Sequence, residues 1–344
     1  MKKVVLSQGE KNRHTRAIWV MAVFAILIAV MFLISMNLGQ IRLTPTEVFR
    51  TVAGQGTAKQ ELILFEFRLP EIIISILVGA GLALSGCLLQ GVTGNALAEP
   101  GILGINSGAG LAVLVFVYFY PEELLGSVYL MPVLALAGAA AAAVLIYSLA
   151  YKKGQGMSAM RLVLGGIGTA AGINALTLVL SLRLDPQSHQ LIYTWLAGSI
   201  RGTDWTYVAA FLPWLIILIP YALYQARVLN ILTLGDSSAI GLGTSVNRAR
   251  FRIMALAVAL AGACVAVGGA ISFVGLICPH LARRLVGPKH QLLIPASMLC
   301  GALLMLVADA VTRWIAGSAS LPVGVVVAVI GAPYFLYLLA KSRS

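Results

Sequence analysis

GGAISFVGLICPHLARR, Gly268–Arg284, decides how this chain crosses a membrane. The basic cluster Arg248, Arg250 and Arg252 precedes it, and the basic pair Arg283/Arg284 closes it. Basic loops of membrane proteins stay on the cytoplasmic side. Both clusters therefore belong inside, although only about 30 residues separate them. That length holds one full span of ~20 residues and one short, partly re-entrant helix, with a break expected around Gly268–Gly275. Non-helical backbone at such depth is tolerated only when buried in protein or lining a cavity.

The rest of the chain agrees with a membrane reading. Of its 344 residues 60% are apolar and 10% charged, and the mean hydropathy is +0.94. Soluble domains carry about 25% charged residues. Nine apolar runs, near 17–37, 69–90, 101–119, 128–150, 161–182, 208–226, 253–271, 292–312 and 322–340, approach bilayer-spanning length. Both ends are basic, so both are expected in the cytoplasm, which requires an even number of crossings. The short helix after Gly268 makes ten. The expected architecture is an all-α integral membrane protein, one polytopic domain over 1–344, with a cytoplasmic tail at 1–16 and a cytoplasmic loop at 229–250. The first apolar run lacks a small-residue cleavage site and is read as a retained span.

The net charge of +12 sits mostly in those basic loops, so it marks topology and does not point to nucleic acid. Cys87, Cys264, Cys278 and Cys300 are isolated and imply neither a disulfide framework nor a metal set. His14, His189, His280 and His290 are scattered. GxxxxGK[ST], HExxH and GxSxG are all missing from the sequence, which argues against an enzyme. Gly104/Gly108 and Gly168/Gly172 have the small-xxx-small spacing that lets helices approach closely.

Two loops carry more information. In LNILTLGDSSAIGLGTSVNRAR, Leu229–Arg250, Gly235, Asp236 and Ser237 suit a helix start, with Asp or Ser as cap. Gly241 and Gly243 suit its end. A short helix on the cytoplasmic face has the form of a docking element. In QGVTGNALAEPGILGINSGAG, Gln90–Gly110, a carboxylate, two asparagines, a proline and six glycines interrupt apolar sequence. A charge inside a bilayer costs ~2.5–3.5 kcal/mol or more, so Glu99 should face protein or water. Its expected structural role is to cap the helix that follows it.

Several long stretches in order resemble one family. They are RLP at Arg68–Pro70, VGAGLALSG at Val78–Gly86, NALAEPGILGINSGAG, WLAGSIRGTDW at Trp195–Trp205, LNILTLGDSSAIGLG, GAISFVGLICPHLARRLVG and LPVGVVVAVIGAPYFLYLL at Leu321–Leu339. From about Leu43 to Lys341 the chain is similar to the membrane permeases of ABC importers for ferric siderophores, haem and cobalamin, the FecCD or type II importers. The resemblance implies ten helices in the cell membrane and a transport subunit that is not itself an enzyme. It implies as partners a second permease chain, identical or paralogous, two cytoplasmic ABC ATPases and an extracytoplasmic binding protein. No cofactor is expected in this chain; ATP and Mg would bind the ATPases. The leading cargo is a ferric siderophore. Haem or cobalamin is the alternative within the family, and an ion-coupled secondary transporter the alternative outside it.

The same resemblance assigns residues. Leu234, Gly235, Asp236, Ala239, Leu242 and Gly243 match the coupling helix that sits in a cleft of the ATPase. Asn95 and Leu97 match a cytoplasmic gate, and Ser158, Ala159 and Met160 its second segment. The family usually has proline where this chain has Ala96 and a small hydroxyl where it has Ala159. Arg68 and Arg313 match outer-face cations that meet acidic groups of the binding protein, while position 71, often basic in the family, is Glu71 here. Asp309, four residues before Arg313, suits an ion pair with it.

Overall fold

The structure, a computed structural model, describes residues 8–39, 43–101, 104–119, 130–152, 156–157, 159–316 and 321–342. Helix α1 spans Gln8–Asn37, so it begins within the segment expected as a tail. Two short helices follow, α2 (Pro45–Val52) and α3 (Ala58–Glu61), each opened by a capping box, Thr44 with Glu47 and Thr57 with Gln60. A π-helical stretch, Leu62–Arg68, leads into α4 (Leu69–Thr93).

The chain continues through α5 (Ile105–Phe119), α6 (Leu130–Ala150), α7 (Ala159–Ser181), α8 (Pro186–Leu196) and α9 (Trp205–Leu232). After these come α10 (Asp236–Gly241), α11 (Val246–Gly268), α12 (Val274–Val286), α13 (His290–Ala316) and α14 (Val323–Ser342). A two-residue antiparallel pair, β1 (Tyr151–Lys152) with β2 (Gly156–Met157), turns the chain between α6 and α7. Among the described residues seven helices are long and apolar enough to cross a membrane, and α5 and α14 are shorter apolar ones. With the short α12 they account for the ten expected.

Helix α4 is the hub. It packs against α13, α11, α12 and α9, and most of it is buried. Glycine makes the closest approaches possible. A Cβ placed on Gly79 would strike the Gly301 carbonyl of α13, and one on Gly301 would strike that of Gly79. Gly86 meets the backbone of Gly275 in α12 in the same way. Gly108 fits the predicted small-residue packing, against Gly138 and Ala142 of α6. Gly168 and Gly172 do not, because a Cβ on either would meet nothing within 4 Å. That part of α7 faces away from its own chain. Helices α1, α7 and α9 are mostly exposed despite their apolar character, as expected of surfaces turned to lipid or to another subunit.

Candidate translocation and coupling site

The loop ends of α4, α6, α9 and α11 form the face that carries most of the basic clusters, called here the basic face. Helix α4 ends at Gly94, whose φ of 64° provides a left-handed cap. The next residues form a tight turn. The Asn95 side-chain oxygen accepts the Leu97 N–H at 2.9 Å, and the Asn95 carbonyl accepts the Ala98 N–H at 3.1 Å. Asn95 and Leu97 are half-buried at its tip.

Glu99 lies behind them, 4% exposed, and its partner corrects the expectation drawn from sequence. The carboxylate accepts the N–H of Phe273, at the start of α12, instead of capping α5. Phe273 has φ 71°, the one positive-φ residue other than glycine among those described. A bulky side chain there costs on the order of 1–3 kcal/mol, and such strain persists only where the surroundings impose it. They do so here. Asn106 donates to the Ile271 carbonyl at 3.3 Å, and Gln90 donates to the carbonyls of Gly275 and Leu276 at 3.3 and 3.2 Å. The break expected around Gly268–Gly275 therefore falls between α11 and α12, and three polar side chains from α4, α5 and their turn hold it. Gln90 and Asn106 were not singled out from sequence. Their signal is a polar side chain inside an apolar run.

Of the second gate segment, Ser158 lies outside the described residues. Ala159 opens α7, and Met160 is 68% exposed. No hydrogen bond joins Met160 to Asn95 or Leu97 among the described residues. Seven residues after Leu97, Gly104 approaches the middle of α7, where a Cβ would stand 3.5 Å from the Gly166 carbonyl oxygen and from Ala170.

The loop between α9 and α11 is shorter than Leu229–Arg250, because α9 runs to Leu232 and α11 starts at Val246. Its helix, α10, has no side-chain cap. Gly235 is the N-cap residue with φ 91°, and Asp236 lies inside the helix, paired with Arg250 through two bonds of 2.8 and 3.0 Å. This corrects the expected Asp or Ser cap. Ala239 is fully buried and anchors α10, while Leu234, Ile240 and Leu242 are 61%, 64% and 62% exposed. Three large aliphatic side chains on one short polar-flanked loop make an unpartnered apolar knob. Ile240 and Arg250 belong to this unit and were missed. The apolar residue in the turn sequence AIGLG was the available signal for Ile240.

On the opposite face both predicted cations point inward. Arg68 is 5% exposed and donates to the Met36 carbonyl; Arg313 is 8% exposed. Arg313 pairs with Asp309 at 2.7 Å, as the i,i+4 spacing suggested, and with Glu71 at 3.1 Å. Glu71 also accepts the Gly202 N–H at 2.9 Å. Helices α13 and α4 and the loop after α8 are thus tied by one charged cluster. Beside it a cavity of about 550 Å³ opens between α8 and α9, with Gln187, Gln190, Thr194, Arg201 and Tyr207 in its wall.

A bundle of apolar helices, glycine-packed around one hub and with seven long enough to cross a membrane among the described residues, is the frame of a polytopic membrane protein. The sequence profile of the FecCD transport family matches residues 26–341. The chain belongs to the FecCD transport family. FecCD proteins are membrane permeases of ABC importers, so this chain is a multi-pass transport subunit and not an enzyme. It is 50% identical over 337 residues to the iron(3+)-hydroxamate import permease FhuG of Bacillus subtilis, covering 97% of this chain and 100% of that one. It is 42% identical to the Fe(3+)-citrate import permease YfmE of the same organism, covering 95% and 96%. A solved transporter assigned to the metal-chelate ABC type, in an inward-facing conformation, superposes with a TM-score of 0.81 at 31% identity, covering 94% of this chain and 99% of that one.

Proposed function

We propose that this FecCD permease carries a ferric hydroxamate siderophore inward, with ATP hydrolysed by a partner. The 50% identity to a ferric-hydroxamate permease along essentially the whole chain supports this cargo over haem and cobalamin. The basic face is cytoplasmic, with both termini on it, and the functional unit pairs this chain with a second permease, two ATPases and an extracytoplasmic binding protein.

In this reading the knob of Leu234, Ile240 and Leu242 seats in the ATPase, and the Asp236–Arg250 pair carries its movement into α11. Movement of α11 reaches the pinned break before α12 and, through Glu99, the turn that bears Asn95 and Leu97. Those two, with Ser158, Ala159 and Met160, form the gate. Leu234→Ser with Ile240→Ser and Leu242→Ser removes three exposed apolar anchors, so it should abolish ATPase co-purification and cut uptake at least tenfold. Normal co-purification with normal uptake would remove the coupling role.

On the outer face, an acidic group of the binding protein would compete with Asp309 and Glu71 for Arg313, and with the Met36 carbonyl for Arg68. Arg313→Gln should weaken docking of the binding protein, read as its affinity for the purified transporter. Equal docking affinity of wild type and variant at low salt would contradict this.

A further inference from the structure

The geometry points to a site for an anionic phospholipid in the groove between α6 and α11, its headgroup at Arg248 and Arg252 and one acyl chain in the slot above them. A cavity of about 430 Å³ runs between the two helices, walled by small or apolar side chains that include Leu136, Ala143, Ala255 and Ala259. It extends from Leu136 to Tyr147 on α6, eleven residues or ~16 Å of helix, and from Ala259 to Phe251 on α11, eight residues or ~12 Å. One leaflet of a ~30 Å hydrocarbon core is ~15 Å deep. The slot therefore fits one acyl chain lying along the helices.

At its lower end the slot joins a second cavity of about 610 Å³ through Tyr147 and Phe251, which line both. Here the chemistry changes. Ser245, Asn247, Arg248 and Arg252 line the wall. Tyr147 stacks on Tyr151 with ring centroids 5.8 Å apart and meets the Phe251 ring edge-on at 5.3 Å. Aromatic rings at the join of an apolar slot and a polar mouth are placed as interfacial aromatics are.

Charge selects the headgroup. Arg250, between the two arginines in sequence, is taken by Asp236. Arg248 and Arg252 are exposed, and among the described residues no carboxylate lies within ion-pair distance of either; Arg252 donates to the Arg248 carbonyl at 3.4 Å. On this face Glu99 and Asp236 are already engaged by Phe273 and Arg250. A phosphodiester headgroup supplies the counter-charge that these two arginines lack among the described residues. Basic pockets between helices on the inner side of a bilayer suit anionic headgroups.

The test uses the complete transporter purified in detergent, with phosphatidylglycerol and phosphatidylcholine of the same acyl chains as probes. Retained lipid is read by native mass spectrometry and stability by thermal melting. Wild type should retain phosphatidylglycerol preferentially and be stabilised by it, with a preference that falls as salt rises. Arg248→Gln with Arg252→Gln should lower phosphatidylglycerol affinity roughly thirtyfold, as expected for two basic residues near a surface. Ala143→Leu with Ala255→Leu should fill the slot and lower retention of both lipids.

Equal retention of the two lipids by wild type would overturn the proposal, and that arm does not depend on any variant folding. So would unchanged phosphatidylglycerol affinity in the arginine variant. Loss of the ATPase from the arginine variant, with lipid retention intact, would give the arginines to that interface instead. Separation of the two permease chains in the slot-filling variant, with lipid retention intact, would give the groove to a contact between permeases.

Discussion

Glu99 shows how much of a membrane site one residue can reveal. A carboxylate in an apolar chain has to face protein or water, so its burial in a protein-lined turn was readable from sequence. Its partner was not, because Phe273 lies 174 residues away and no local pattern links the two. Capping of α5 was the reasonable local guess, and tertiary packing overrode it by bringing the start of α12 closer. The same limit explains Arg68, whose acceptor is the carbonyl of Met36. Removing the acceptor from a buried N–H costs on the order of 1–3 kcal/mol, more when the lost partner is charged. Glu99→Ala should accordingly lower the melting temperature of the purified permease by several degrees and slow uptake. Glu99→Gln, which keeps an acceptor oxygen, should lose less. Equal melting temperatures for wild type and Glu99→Ala would show that the Phe273 N–H does not depend on this residue.

Among elements, the helices themselves were the most legible feature, because each needs a long apolar run and little else. The interrupted pair α11 and α12 was legible from charge, since two basic clusters on one side of a bilayer force the chain to turn back. Helix α10 was placed by its glycines, yet its cap was misread: Asp236 finds a stronger partner in Arg250 than in the backbone N–H groups of its own first turn. Small-residue spacing read packing within the chain correctly at Gly108, while Gly168 and Gly172 meet no neighbour from their own chain. Spacing reports what a helix could pack against, and only the fold decides whether a neighbour is there. The contrast is measurable. Gly79→Leu drives a side chain into the Gly301 backbone, and overpacking of this kind costs about 1–3 kcal/mol or more. It should sharply reduce folded permease on gel filtration. Gly172→Leu projects into open space and should leave the folding of the chain unchanged. Equal loss in both variants would mean that α4 and α13 do not depend on this crossing.

For the whole molecule, one line of physical connection runs from the apolar knob on α10 to the Asn95–Leu97 turn. It passes through the Asp236–Arg250 pair, along α11, across the pinned break and through Glu99. The last link, Glu99 to Phe273, joins segments 174 residues apart, and for that reason the sequence showed the break and the Asn95–Leu97 turn but not the bond between them. The charged cluster of Arg313, Asp309 and Glu71 closes the opposite face, where a delivering protein would arrive.

The proposed role of this permease is to move a ferric hydroxamate at the expense of ATP. Its most direct test is accumulation of radioactive iron from a ferric trihydroxamate by cells that have or lack this chain, with ATP depleted or the proton gradient collapsed. Uptake should disappear without the chain, disappear on ATP depletion and survive collapse of the gradient. Uptake that persists without the chain, or that follows the proton gradient and ignores ATP, would contradict it.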